Sequence, residues 1–345
     1  MSFNQRLNRA PRKLRQALVR RLRRYPSYYW LYPSYRHMKI AGTARDGSSN
    51  TSYFTATPNP DAGIGHQLAN WIAGYWFAQR FGLRFAHTPF SSPRWERFFG
   101  FGEDEASVDA LMKDGVRIVD LPLFDEDNAR EIEAIEQIIA SYPGQTVIFR
   151  AEQDQFYHDQ HPVRAALQRK FNTSPSRQED LPEDKGNALH VAVHVRRGDI
   201  VVDPAVASEN LLMRWQESDY FEKVLRTTLL VLGDRPVRIS LFSQGDEEQF
   251  RSFREFPNLT FKLDTGPVES FLQMVRADVL ITSKSSFSYK PALLNEGVKI
   301  APAQFWHGYP DAEDWVLTGN DGTLDEARLR TAIAALESQR LKALA

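Results

Sequence analysis

The chain contains no cysteine, which excludes disulfides, thiolate zinc sites and cysteine nucleophiles and fits a reducing compartment without requiring one. It has no excess of charge of either sign. With 43 Lys and Arg against 44 Asp and Glu, the formal net charge is -1, so no global attraction draws it to nucleic acid. No apolar run approaches the ~18 residues of a membrane span, and the amino terminus lacks the continuous apolar core of a secretory signal. A cytoplasmic protein, or one lying on the cytosolic face of a membrane, is therefore expected. Core-forming material, by contrast, is plentiful. The 345 residues are 42% hydrophobic and include 7 Trp and 22 Phe, enough for about two globular domains.

The sharpest pattern is residues 188–199, Ala-Leu-His-Val-Ala-Val-His-Val-Arg-Arg-Gly-Asp. A short valine-rich run that ends abruptly in charge predicts a buried strand of a parallel sheet over Leu189 to Val195. The loop after such a strand lies at the edge where open α/β sheets bind ligands. Two guanidiniums there, Arg196 and Arg197, are suited to phosphate oxygens. Gly198 lets the backbone come close, and Asp199 can orient the guanidiniums. The same residues also read as a strand that ends in a solvated turn.

Two further stretches carry a related signal. Gly63-Ile64-Gly65 lies between a short strand at Tyr53-Phe54-Thr55 and a helix opened by His66-Gln67, with Leu68, Trp71, Ile72, Tyr75 and Ala78 on one face. Strand, glycine loop and helix suit an anion held by helix-start N–H groups, or simply a tight turn. Thr282-Ser283-Lys284-Ser285-Ser286 separates another strand from another helix. It offers hydroxyls, N–H groups and a helix dipole, with Lys284 as an added charge; the plainer alternative is an N-cap cluster.

The rest of the chain supplies a framework. Residues 1–40 form a basic amphipathic extension, in which arginines from Arg6 to Arg24 alternate with Leu14, Leu18, Val19 and Leu22 before the aromatics Tyr25, Tyr28, Tyr29, Trp30 and Tyr32. This is either an anchor to an anionic membrane through residues 6–32 or a solvated extension packed on the first domain. Residues 41–180 read as an amino-terminal α/β domain, with strands near 83–86, 116–119 and 146–149 and a helix over 128–140. Asp125-Glu126-Asp127 before that helix is either an acidic metal motif or, more simply, its cap. Residues 171–187 are expected as an interdomain linker. Over 188–322 strands and helices alternate as repeated β-α-β, which means a parallel sheet covered on both faces. A last helix, 323–345, is expected to begin with a capping box at Thr323 and Glu326.

Taken together, three stretches resemble the motifs of the fucosyltransferase superfamily, which spans the α1,2-, α1,6- and protein O-fucosyltransferases. His194-Val195-Arg196-Arg197-Gly198-Asp199 resembles its His-x-Arg-Arg-Gly-Asp signature. Residues 277–288 are similar to its Ile-Ser-Asn-Ser-Ser-Phe-Ser element, and Gly63-Ile64-Gly65-His66-Gln67 to its Gly-x-Gly-Asn-Gln loop. The resemblance implies a GT-B-like α/β fold, two Rossmann-like domains with parallel sheets facing a cleft. It also implies GDP-fucose as donor, GDP as product, inversion at the sugar carbon, no metal and no further cofactor.

Residue by residue, the resemblance implies that Arg196 meets the donor's β-phosphate while Arg197 and Asp199 brace the loop. His194 would face the nucleotide, Ser285 and Ser286 the diphosphate, and Glu269 the guanine edge. Gly63, Gly65 and Gln67 would come from the facing domain. Asp203 lies near the position of the base in the α1,6 members. The sequence departs from the pattern at His66, where the α1,2 members have Asn, and at Tyr289-Lys290-Pro291. The expected function is transfer of fucose to a hydroxyl of a glycan or lipid-linked saccharide, as in polysaccharide biosynthesis. The alternatives are another nucleotide-sugar donor, or a catalytically silent nucleotide- or glycan-binding protein of the same fold.

Overall fold

The computed structural model describes residues 21–23, 25–42, 51–152, 155, 157–179, 187–198 and 213–344. The chain divides into two compact units, one of residues 1–62, 67–91 and 102–157, the other of 63–66, 92–101 and 158–345. Each is a Rossmann-like α/β unit built on its own wholly parallel sheet, so the fold class expected from the sequence is the one observed.

The first unit holds strands β1 (Tyr53–Thr55), β2 (Arg84–His87), β3 (Ala106–Ser107), β4 (Arg117–Asp120) and β5 (Val147–Arg150), in the order β3-β2-β1-β5-β4. Its helices include α1 (Pro33–Ala41), most of α2 (Ile64–Arg80), α4 (Val108–Lys113) and α5 (Ala129–Ala140). The isoleucine stripe of α5 is inside as its period requires, Ile135 and Ile138 being fully buried. The cap of α5 is not the acidic triplet. Asn128 takes that role, its Oδ1 accepting from the N–H groups of Arg130 and Glu131, while Asp125 accepts from Asp127 N–H. Asparagine fits because its short amide reaches two orphan N–H groups without moving the chain. The core beneath is aromatic: the Phe77 ring lies 4.7 Å from Phe124, 5.9 Å from Phe81 and 6.1 Å from Phe54.

The second unit has six strands, β6 (Leu189–His194), β7 (Val237–Ser243), β8 (Leu259–Leu263), β9 (Val279–Ile281), β10 (Val298–Pro302) and β11 (Trp315–Thr318), in the order β11-β10-β9-β6-β7-β8. Helices α3 (Pro93–Phe99), α6 (Arg164–Thr173), α7 (Ser218–Leu232), α8 (Pro267–Arg276), α9 (Ser286–Leu294) and α10 (Glu326–Leu344) complete it. In α3, Trp95 and Phe99 pack edge-on against Phe271 of α8, 5.6 and 5.3 Å away.

Two expectations are corrected here, and one strand is new. Residues 171–178 are not linker. Phe171 is buried in α6, and the Arg177 guanidinium lies 4.4 and 4.5 Å from the Phe98 and Phe171 rings, contacts that tie this stretch into the second unit. Residues 180–186 lie outside the described residues. The capping box at Thr323 does not form, because Asp325 stands closer to the free N–H groups and accepts from Ala327 and Arg328, leaving Thr323 bonded to Asp321. Finally, β11 was not anticipated. It is four residues long and follows an acidic stretch, too short for alternation to register.

Truncating Phe77 to Ala removes the centre of the first unit's aromatic core. The expected loss is about 3–5 kcal/mol, read as a lower urea midpoint for Phe77→Ala.

Candidate functional site

The order of the second sheet fixes where a ligand can sit. From β6 the chain proceeds to β7 and β8 on one side, then returns to lay β9, β10 and β11 on the other. The carboxyl ends of β6 and β9 therefore flank the switch point, the place where a doubly wound sheet leaves a crevice. Two of the stretches singled out from the sequence follow those two strands.

Alternation along β6 distributes the side chains after it. His194 and Ser283 are joined Nδ1 to Oγ at 2.8 Å, and the imidazole lies 5.7 Å from the Phe287 ring. Burial, reinforced by the Arg196 charge, pushes its pKa down to about 3, so the ring is neutral. Ser283 N–H in turn donates to Ser288 Oγ, 3.2 Å away. His194 thus fastens the loop after β9 to the end of β6.

Arg197 turns to the other face. Its guanidinium donates to the carbonyls of Gln216 and Arg196 at 3.0 and 2.9 Å and lies 4.0 Å from the Trp215 ring. It is 8% exposed, and burial lowers its pKa from the ordinary arginine value while Glu217 opposes that shift. Gln216 completes a bridge, since its Oε1 accepts from Lys284 N–H at 2.8 Å. One residue thereby holds the loop after β6 by its carbonyl and the loop after β9 by its side chain. Gly198 has φ +80°, and a Cβ there would run into Gln244 Oε1, so only glycine suits the position.

Above these loops lies a cavity of about 350 Å³ whose lining includes Arg196, Arg197, Gln244, Asp264, Thr265 and Phe287. Its size falls in the range of small-molecule sites. Two features of the turn after β8 set it apart from an ordinary surface dent. Asp264 holds a left-handed φ of 51°, a conformation that costs a non-glycine residue free energy and tends to persist at ligand sites. Thr265 Oγ1 is buried without a hydrogen-bond partner among the described residues, a second cost built into the same turn.

At the start of α9, Ser285 is the N-cap, its Oγ accepting from Phe287 N–H at 3.2 Å. Ser286 Oγ lies 3.3 Å from His307 Nε2. The opposite nitrogen of His307 is buried without a partner among the described residues. An orphan lone pair costs less than an orphan N–H, so the proton belongs on Nε2, and the Ser286 hydroxyl is left as a donor. The first turn of α2 comes against the same point. A Cβ on Gly65 would lie 2.9 Å from the carbonyl carbon and Cβ of Ser286, so two helix starts meet with no room for a side chain.

Other expected site residues fall elsewhere. Gly63 and Gly65, expected from the facing domain, group with the second unit. Gln67 groups with the first, and its amide is spent on Ala62 O and on Ser91 Oγ and N–H, at 2.8, 2.8 and 3.0 Å. Glu269 is exposed in the first turn of α8 and accepts from Gln273 at 3.0 Å, outside the cavity lining. Lys284 Nζ donates to Asn320, 3.1 Å away. Asp199 and Asp203 lie outside the described residues. Among the described residues no cluster of three or more His, Asp or Glu is arranged to hold a metal ion.

Comparison with known proteins returns no matching family model and no matching curated protein. Solved structures do align. They include apo POFUT1 (TM-score 0.45, 12% identity, covering 72% of this chain and 96% of that one). NodZ α-1,6-fucosyltransferase soaked with GDP-fucose aligns with TM-score 0.41 and 17% identity over 71% of this chain and 93% of that one. The E. coli heptosyltransferase WaaC with ADP aligns with TM-score 0.34 and 12% identity over 84% and 97%. These neighbours are glycosyltransferases, but likeness at this level carries no functional argument, and the reading below rests on the chain's own residues.

Because His194 is held neutral, its contribution to stability is complete above its ordinary pKa near 6.5 and is lost as pH falls from there toward about 3. The gap in melting temperature between wild type and His194→Gln should accordingly narrow from pH 7 to pH 4. A constant gap would mean that the imidazole is not buried neutral.

Proposed function

We propose that this chain is an inverting, metal-independent glycosyltransferase that transfers fucose from GDP-fucose to a hydroxyl of a saccharide or lipid-linked saccharide. The observation that carries the proposal is a single cavity joining Arg196 and Arg197 at the end of β6 to the turn Asp264 to Pro267 after β8 and to Phe287 at the start of α9. This combination suits a nucleoside diphosphate. The Arg196 cation serves the phosphates, an aromatic wall serves the base, and a carboxylate remains to read its edge.

In this reading the acceptor oxygen forms a bond to the anomeric carbon as the bond from that carbon to the β-phosphate oxygen breaks. The bonding pair leaves with GDP, and the acceptor proton passes to a base, for which Asp203 is proposed. The negative charge that grows on the diphosphate is assigned to Arg196, to the Ser286 hydroxyl and to the N–H groups at the start of α9. Arg197 acts through the loop: its guanidinium is already committed to two carbonyls and a tryptophan face.

The donor base is read by a different carboxylate from the one the resemblance implied. Glu269, expected to read guanine, is not among the residues lining the cavity, which leaves Asp264 as the carboxylate there. A carboxylate accepts two parallel hydrogen bonds from the adjacent N1–H and N2–H groups of guanine, whereas adenine, cytosine and uracil each offer it a single donor position flanked by acceptors.

Calorimetric titration with GDP, UDP, ADP and CMP, without metal, tests the proposal. Selective GDP binding is expected, weakened at least tenfold, on the order of 1.5–3 kcal/mol, in Arg196→Ala. Equal or absent binding of all four sinks it, and GDP binding with no hydrolysis of GDP-fucose would point to a silent binding protein. For the base, Asp264→Asn should weaken GDP about tenfold or more while Glu269→Ala leaves it unchanged. If Asp264→Asn is without effect, a different nucleotide sugar becomes the better reading.

A further inference from the structure

Charge in this chain is divided far more unevenly than its total suggests. Residues 1–45 hold 12 of the 43 Lys and Arg and none of the 44 Asp and Glu, so the remaining 300 residues carry a formal net charge of -13. Such asymmetry marks an anionic partner for the basic part. Residues 6–20, which bear much of this charge, lie outside the described residues, but the described part of the segment has a definite two-sided form.

Its inner side is bolted to the first unit. Tyr28 Oη accepts from Leu123 N–H at 2.8 Å, Tyr32 Oη donates to Glu152 at 2.7 Å, and Ser34 Oγ donates to the Asp120 carbonyl at 2.6 Å. His37 meets the Ser141 carbonyl at 3.0 Å, and Met38 is buried. The outer side carries what such a segment ordinarily hides. Of nine large hydrophobic residues exposed among the described residues, four fall between 25 and 40: Tyr25 (59% exposed), Trp30 (52%), Leu31 (49%) and Ile40 (87%). Exposed Arg36 donates to the Trp30 carbonyl at 2.6 Å, which brings the guanidinium beside the indole's residue, and Ile40 follows one helical turn later with Lys39.

We infer that residues 25–40 are a docking face for an anionic lipid surface. A tryptophan, two aliphatic side chains and a tyrosine interleaved with arginine and lysine on a rigid element match the boundary between headgroups and acyl chains. The basic sequence before them supplies the longer-range attraction, and the net-acidic remainder is repelled by the same surface, which favours this side. Nucleic acid would use the positive charge but has no use for exposed Leu31 and Ile40. The inference does not depend on the donor.

The test is co-sedimentation of the full-length chain with vesicles of phosphatidylcholine alone or with roughly a third phosphatidylglycerol. Binding to the anionic vesicles should exceed binding to the neutral ones at least tenfold and should fall at high salt. Two exposed-face variants, Trp30→Ser with Ile40→Ser and Arg36→Glu with Lys39→Glu, should each weaken it several-fold while GDP affinity stays as in wild type. No preference for anionic vesicles, or binding that neither variant changes, overturns the inference. So does tighter binding to a single-stranded RNA than to the vesicles, which would make the basic segment a nucleic-acid contact.

Discussion

A strand with no side open to solvent governs the second unit. All six residues of β6 are buried, β7 pairs with its full length and β9 takes the other edge. Such a strand can move neither sideways nor along its axis without breaking two ladders. A slip of one residue would also exchange its two faces, sending His194 and Arg197 to each other's partners. The distances at the site are therefore all measured from one fixed point, the place where β6 ends. Gln216 extends that fixity to both flanking loops, and Gly198 and Gly65 remove the side chains that would hold them apart.

The architecture was legible because it depends on patterns that survive in one sequence. Short β-branched runs alternating with helical stripes leave few options besides a parallel sheet. The loops after β6 and β9 were legible for the same reason, since strand ends can be located from where apolar residues stop. What the sequence did not disclose depends on rotation or on distance. Whether a residue in the first turn of α8 faces the cavity turns on about 100° of helix phase, and Glu269 fell on the wrong side of that angle while the turn before it, Asp264 and Thr265, supplied the lining. The turn cluster Asp264-Thr265-Gly266-Pro267, directly after a strand, was the available signal. Gln216 and His307 gave none, because a glutamine between loops and a histidine among aromatics look the same whether they bridge something or not.

The second unit also hides charged groups that a simple core would avoid. Lys290 is 1% exposed, bonded to Gln160, with burial driving its pKa well below that of an ordinary lysine. Lys299 pairs with Asp314, which Arg164 also grips at 2.6 Å. Arrangements of this kind contribute little net stability, since desolvation consumes most of the attraction. Their effect here is positional: each joins a helix or loop at one sequence distance to a strand or helix at another, and each penalises any packing in which its partner is missing.

The neutral state of His194 has a consequence for how the cavity works across conditions. The groups that would neutralise a diphosphate are the Arg196 guanidinium, which stays charged throughout the physiological range, and backbone N–H dipoles, which have no proton to lose. The one imidazole at the cavity is held uncharged by its surroundings to about 3. The positive groups of the pocket thus do not titrate near neutrality. An anion held there would feel the same field in a mildly acidic compartment as in a mildly alkaline one, and acidity would reach it by loosening the scaffold before it altered the grip.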